Sequence, residues 1–319
     1  MIIQRNLLSK STSLLRRSCF KFSSSTSSDE PPENSATIVQ GPSLLTMTGV
    51  HRPSPSLFQL PGLRSLPFWT APESSANSQS QNRKHRVAFN DALVTSAVEY
   101  VESNYESIRA EYFASVLGQG RETDLDSGKV IKPLEPDYDV SSKGGEHADD
   151  ALHSGNWDWH SYMLNGSKNS LFKERCPKTA EVIDTLEKEG LLFGTPFGFC
   201  FFSTLHGNSS IQAHSGPMNL RLRMHLPLVV PKQETAGNQQ SRSRPATGIR
   251  VADQVREWHE GKAIVLDDSY VHEVWNDANS PRVLLLLDLW HPDVRLEERE
   301  KIATMFSYAK EKGWIGQAK

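Results

Sequence analysis

Of the eleven histidines in the chain, three stand in surroundings that suit chemistry: His214, His225 and His272. Each lies in or beside a stretch whose apolar pattern predicts an interior strand. His51, His85, His147 and His153 occupy polar segments and are expected to be solvated. In residues 220–227, LRLRMHLP, strand alternation points Arg221, Arg223 and His225 to one face and Leu222, Met224 and Leu226 to the other. That polar face is either a wetted basic edge or the wall of a lumen, where cations are costly unless an anion binds. Residues 270–290, YVHEVWNDANSPRVLLLLDLW, carry turn chemistry at 276–280. Folding the segment about that turn brings His272 near Arg282, and the returning strand, apolar on both faces, is expected to be buried. Asp267, Asp268, Glu273 and Asp288 are the carboxylates that could make this a purely structural pairing. His214 precedes a turn at Ser215, Gly216 and Pro217, at the mouth of the strand that carries Arg223 and His225. Two histidines on separate strands with arginines close by suit a metal ion beside a carboxylate-binding subsite, and non-haem iron(II) centres use two histidines and one carboxylate. Histidines that are only hydrogen-bonded within a core are the alternative.

The elements that position these residues follow from periodicity. Residues 23–56 are rich in Ser and Pro and read as linker, and a second polar stretch covers 73–83. Between 89 and 117, Leu93, Ala97, Val98, Val101, Tyr105, Ile108, Tyr112 and Val116 recur at helical spacing. Residues 118–150 predict a loop, and 179–189 a helix stopped by Gly190. Strands are expected at 197–204, 220–230, 262–266, 271–275 and 283–290, and a closing helix at 295–312. The polar run 231–248 predicts a solvent-exposed insertion between strands. The expected fold class is α+β: helices first, then a sandwich or barrel of short strands.

Composition bounds the function. A net charge of -3 offers no electrostatic case for nucleic acid as a partner. The longest apolar run, residues 283–287, falls far short of the ~20 residues that a membrane-spanning helix needs. No obligatory protein partner is evident. Residues 1–28 hold Arg5, Lys10, Arg16, Arg17 and Lys21, many Ser and Thr, and no acid. That is the composition of an organellar transit peptide, so the expected location is the mitochondrion, with plastid as the alternative, or cytoplasm if the segment is no signal. The three cysteines have neither CxxC spacing nor a catalytic context, and Cys176 and Cys200 are expected as inert packed thiols.

Residues 214–228, HSGPMNLRLRMHLPL, and 257–292, EWHEGKAIVLDDSYVHEVWNDANSPRVLLLLDLWHP, strongly resemble the catalytic domain of the aspartyl/asparaginyl β-hydroxylases; so does PGLRSLPFW at 61–69. The resemblance runs from about residue 57 to 310, so the oxygenase-like domain is set at 57–319, after a 29–56 linker. It implies a double-stranded β-helix, the jelly roll of 2-oxoglutarate-dependent oxygenases, with flanking helices. It implies His214 and His272 as catalytic metal ligands for Fe(II). Arg282 would pair with the distal carboxylate of 2-oxoglutarate, with Arg223, His225, Ser203 and Trp157 as further co-substrate contacts. Trp159 is close enough in sequence to be confused with Trp157. The family's paired cysteines before the core are not reproduced here. Gly216 stands two positions after His214, where a carboxylate ligand is usual in such oxygenases, so a site with two protein ligands is expected, with water able to fill the vacated position. The implied activity is O2- and 2-oxoglutarate-dependent hydroxylation of an unactivated C–H bond, in a peptide or protein substrate or a lipid acyl chain. The rivals are halogenation, a catalytically silent jelly-roll binding module, and a structural zinc protein, which would need two further ligands.

Overall fold

The computed structural model describes residues 53–71, 91–119, 132–139, 152–232 and 244–315. The transit peptide expected at 1–28, most of the 29–56 linker, the polar stretch at 73–83, residues 233–243 of the insertion and most of the 118–150 loop lie outside them, as do His51, His85 and His147.

The helical pattern resolves into α1 (Ala92–Ser103) and α2 (Tyr105–Glu111), followed by a π-turn over Tyr112–Val116. The Asp91 carboxylate accepts hydrogen bonds from the Leu93 and Val94 amides and so starts α1. One expected core position is wrong by a residue: Leu93 is exposed, and Val94 packs inward with Ala97, Val98 and Val101. Short strands β1 (Tyr138–Asp139) and β2 (His153–Ser154) lead to β3 (Trp157–Leu164) and β4 (Ser167–Lys168). Helices α3 (Ser170–Arg175) and α4 (Pro177–Lys188) follow. Pro177 opens α4, and Gly190, at φ +69°, supplies the left-handed residue that ends the helical segment.

The rest is β until the last helix: β5 (Phe199–Leu205), β6 (Ser209–His214), β7 (Arg221–Val229), β8 (Thr247–Val251), β9 (Gln254–Arg256), β10 (Ile264–Leu266), β11 (His272–Asn276), β12 (Arg282–Trp290) and α5 (Leu296–Glu311). β1 to β4, β6, β8 and β9 were not expected from the sequence, and β1 lies in the stretch read as a loop. Thr247 and Gly248, read as the end of the insertion, open β8. Two antiparallel sheets face each other, a seven-stranded one ordered β1-β3-β5-β12-β7-β10 with β4 beside β3, and a five-stranded one ordered β2-β6-β11-β8-β9. This is the jelly roll expected above.

β12 shows why the sandwich holds. Val283, Leu285, Leu287 and Leu289 join the cluster that includes Val94 and Val101 of α1 and Ile183 of α4. Leu284 and Leu286 face the lumen with Trp159, Phe201, Ile264 and Ile249. Both faces are dry, so the run of leucines is uninterrupted. Cys176 and Cys200 are buried and free, as expected. Residues 53–56, assigned to the linker, belong to the fold: Ser54 N–H donates to Ser269 O at 2.7 Å and Ser56 N–H to Gly216 O at 3.0 Å. Among the described residues no helix is long and apolar enough to cross a membrane.

Candidate active site

The interior face of β7 decides between the two sequence readings. Leu222, Met224 and Leu226 pack in the outer cluster, so Arg221, Arg223 and His225 point into the lumen. From the opposite sheet, His214 at the end of β6 and His272 at the start of β11 stand in register on neighbouring strands. Their rings lie 4.2 Å apart between centroids. Each Nδ1 is within hydrogen-bond distance of a backbone carbonyl, His214 to Gln212 O at 2.8 Å and His272 to Tyr270 O at 2.9 Å. A carbonyl only accepts, so both Nδ1 atoms carry the proton and both Nε2 atoms carry the lone pair. Burial, reinforced by the neighbouring His214, pushes the His272 pKa down to about 3; burial with Arg223 nearby lowers that of His214. Two neutral imidazoles of fixed tautomer are the form in which histidine binds a divalent metal.

The expected turn joins β11 to β12, but not as a hairpin. β11 lies in the five-stranded sheet and β12 in the seven-stranded one. His272 therefore pairs with His214 and Val251, whereas Arg282 pairs with Leu205. The two residues line the lumen from opposed sheets.

Arg282 is 1% exposed, and its Nε and Nη2 have no hydrogen-bond partner among the described residues. Burial pulls its pKa down to about 9. Its Cζ lies 4.9 Å from the ring centroid of Trp258. None of the carboxylates that could have neutralised it does so. His225 sits 6.1 Å from Trp258 between ring centroids, with neither ring nitrogen bonded to a described residue. Burial, together with Arg282 and Arg223, holds its pKa well below the usual value, so it is neutral and its one N–H is unused. Ser203 and Trp157 are brought together as well. Trp157 Nε1–H donates to Ser203 Oγ at 2.9 Å, which leaves the serine proton free to be donated elsewhere. The Trp159 ring is 5.0 Å from that of Trp157, on the same side of β3.

Arg223 has a different setting. Its Nε donates to Asp288 Oδ1 at 2.9 Å, and its Nη1 lies 3.3 Å from Asp268 Oδ2. Arg221 bridges the same two acids, at 2.7 Å to Asp288 and 2.8 Å to Asp268. Burial works against the Asp268 charge, but Arg221 and Arg223 hold its pKa below the usual carboxylate range. Two cations and two anions cancel here, so Arg223 lacks the free charge of Arg282. A Cβ on Gly216 would fall 2.6 Å from the Asp268 carboxyl carbon, and Gly216 N–H donates to Asp268 O at 2.6 Å. The space that a residue-216 side chain would need is filled by Asp268. Among the described residues no three His, Cys, Asp or Glu side chains converge to hold a metal.

Sequence reading did not single out Trp258, and it saw Asp268 and Asp288 as rival partners for His272 and Arg282 without placing them between Arg221 and Arg223. Alternation along β12 would have put Asp288 on the Arg282 face. His153 was misjudged: it is buried on β2, its ring 5.7 Å from Trp157.

Fold and lumen together define a double-stranded β-helix protein with two facing histidines and, on the opposed sheet, a buried guanidinium that no described carboxylate pairs. The family profile described as Aspartyl/Asparaginyl beta-hydroxylase matches residues 102–292, more than half of the chain, and the chain belongs to that family. The aspartyl/asparaginyl beta-hydroxylases of Mus musculus and Homo sapiens are each 30% identical to it over 249 residues, covering 77% of this chain and 26% of theirs. This chain thus spans about a quarter of the length of those relatives. An ornithine lipid ester-linked acyl 2-hydroxylase of Rhizobium tropici is 30% identical over 195 residues, 60% of this chain and 56% of that protein. A solved oxidoreductase of the 2OG-Fe(II) oxygenase family from Burkholderia pseudomallei overlaps 43% of this chain and 69% of its own, at 15% identity and a TM-score of 0.29.

Proposed function

We propose that this chain is an Fe(II)- and 2-oxoglutarate-dependent dioxygenase that hydroxylates the β-carbon of Asp or Asn in a peptide or protein. The observation that carries the reading is Arg282: a sealed guanidinium without a counter-ion among the described residues is costly, and a bound carboxylate would remove the cost. His214 and His272 would hold the metal through Nε2, their tautomers set by Gln212 O and Tyr270 O. Arg282 would take the distal carboxylate of 2-oxoglutarate, with the unused N–H of His225 and the free proton of Ser203 as further donors. The Arg221, Arg223, Asp268 and Asp288 cluster, whose charges cancel, gives the metal side of the lumen a rigid polar wall. Bound there, Fe(II) and 2-oxoglutarate supply the oxidising chemistry, consuming O2 and releasing succinate and CO2. The apolar lining of Trp157, Trp159, Phe201 and Leu286 excludes water from it.

A lipid acyl chain is the second candidate substrate, favoured by the similarity to the Rhizobium acyl 2-hydroxylase. The test is succinate formation from 2-oxoglutarate by the purified protein with and without Fe(II), then with His214→Ala and His272→Ala. Metal-independent turnover, or full turnover in either variant, would refute the reading. Import directed by residues 1–28 belongs to the same proposal; a reporter fused to residues 1–60 that stays diffuse in the cytosol or enters the secretory pathway refutes that part.

A further inference from the structure

A second guanidinium reaches the lumen without a carboxylate. Arg256 on β9 stands opposite Ile249 of β8, whose side chain lies in the lumen cluster. Trp258, two residues further on, covers Arg282 inside the same lumen. The Cζ of Arg256 lies 4.7 Å from the ring centroid of Phe68. Phe68 bridges Leu266, and Leu266 is paired with Arg223, which places the stack level with the polar wall beside the metal ligands. Arg256 therefore closes the gap between the free edges of the two sheets.

Packing alone explains part of this. A guanidinium on an aromatic face is attracted by the ring's quadrupole, but the ring does not neutralise it. Arg256 makes no ion pair with any described residue, and burial alone lowers its pKa. In the lumen Arg221 and Arg223 are matched by Asp268 and Asp288, and on the proposed reading Arg282 would be matched by a carboxylate of the co-substrate. Arg256 is left over among the described residues, and it is partly exposed where Arg282 is sealed. The anion it lacks comes from the solvent side.

We propose that Arg256, stacked on Phe68, is a specificity-determining residue that binds the side-chain carboxylate of an acidic residue in the substrate peptide, at the hydroxylated position. This rests on the reading of the chain as a peptide-hydroxylating oxygenase. The experiment uses the full chain with Fe(II), 2-oxoglutarate and two nonapeptide mixtures of randomised neutral flanks, one with Asp at the centre and one with Asn. Succinate and the oxygen mass increment on peptide are read together. The parent enzyme should prefer the Asp mixture. R256Q should lose that preference, with kcat/KM for the Asp mixture falling roughly ten-fold or more, chiefly through KM, as loss of a charge-assisted hydrogen bond demands. The Asn mixture should fall far less, and R256K should restore part of the Asp preference. R256M keeps the apolar stem on Phe68 and answers the same question if R256Q fails to fold. An unchanged Asp-to-Asn ratio in the variants, or an equal loss on both mixtures, overturns the assignment of Arg256. Turnover of 2-oxoglutarate with no stimulation by either mixture overturns peptide-carboxylate recognition while leaving the oxygenase standing. Absence of succinate from the parent removes the functional reading itself, and this proposal with it.

Discussion

Arg282→Met tests the anion pocket without any turnover. In the ligand-free protein the guanidinium stays charged at neutral pH while folding strips it of water. Its pKa falls from 12.5 to about 9 through burial, and at about 1.36 kcal/mol for each pH unit the charge costs the fold about 5 kcal/mol. Folded and unfolded states are both charged below pH 9, so the whole cost is present at neutral pH and fades only as pH rises from 9 towards 12.5. Methionine keeps an apolar stem against Trp258 and removes the charge. Against that gain stands a lost cation–π contact of about 0.5–2 kcal/mol. Apolar replacements of buried charged groups gain about 1–4 kcal/mol elsewhere. The ligand-free variant should therefore be more stable than the parent by about 1–3 kcal/mol, at roughly 2–4 °C of melting temperature per kcal/mol. Ligand should act in the opposite sense. At about 100 times its Kd, 2-oxoglutarate should stabilise the parent by about 2.7 kcal/mol and leave the variant unmoved. The assay is thermal unfolding of both proteins with Mn(II), with and without 2-oxoglutarate. A variant less stable than the parent, and equally stabilised by 2-oxoglutarate, would refute the argument.

Other perturbations probe the metal side. Gly216→Ala drives a methyl to 2.6 Å from the Asp268 carboxyl carbon, which two arginines hold in place; a loss of about 1–3 kcal/mol in urea unfolding is expected, and no loss would mean that Asp268 gives way easily. Asp268→Asn strips a buried charge from between Arg221 and Arg223 and should cost about 3–5 kcal/mol. Glu273→Gln removes only a surface pair with Arg250 at 3.0 Å and should cost under about 1 kcal/mol, with bound metal retained; loss of metal there would contradict the two-histidine site. Asp267 has its pKa raised to about 7 by burial, so folding retains a proton that the unfolded chain loses near 3.8. Its contribution is complete below the unfolded value and is lost as pH rises to about 7. Asp267→Asn keeps an acceptor for the Ser269 amide and cannot ionise, so its stability advantage should open between pH 4 and 8; a pH-independent gap in melting temperature would contradict this.

What the sequence determined alone is whatever has a short physical range. Alternation with a period of two put Arg221, Arg223 and His225 on one face of β7, and apolar residues on both faces of β12 announced a buried strand. The helix at Pro177–Lys188 was legible from its own spacing and from Gly190. Sheet membership was not legible. The turn at 276–280 has hairpin chemistry, yet each strand leaving it pairs with whatever partner its sheet offers, and β11 found β6 while β12 found β5 and β7. That choice turned an expected His272–Arg282 neighbourhood into a His214–His272 pair in one sheet and a buried, unpaired Arg282 in the other, among the described residues. His153 failed for the same reason: pairing β2 with β6 buried a residue whose local sequence is polar. Asp268 beneath Gly216 and Arg256 over Phe68 join segments far apart in the chain. Whether a charge is paired is a property of every neighbour at once, and only the folded chain supplies the neighbours.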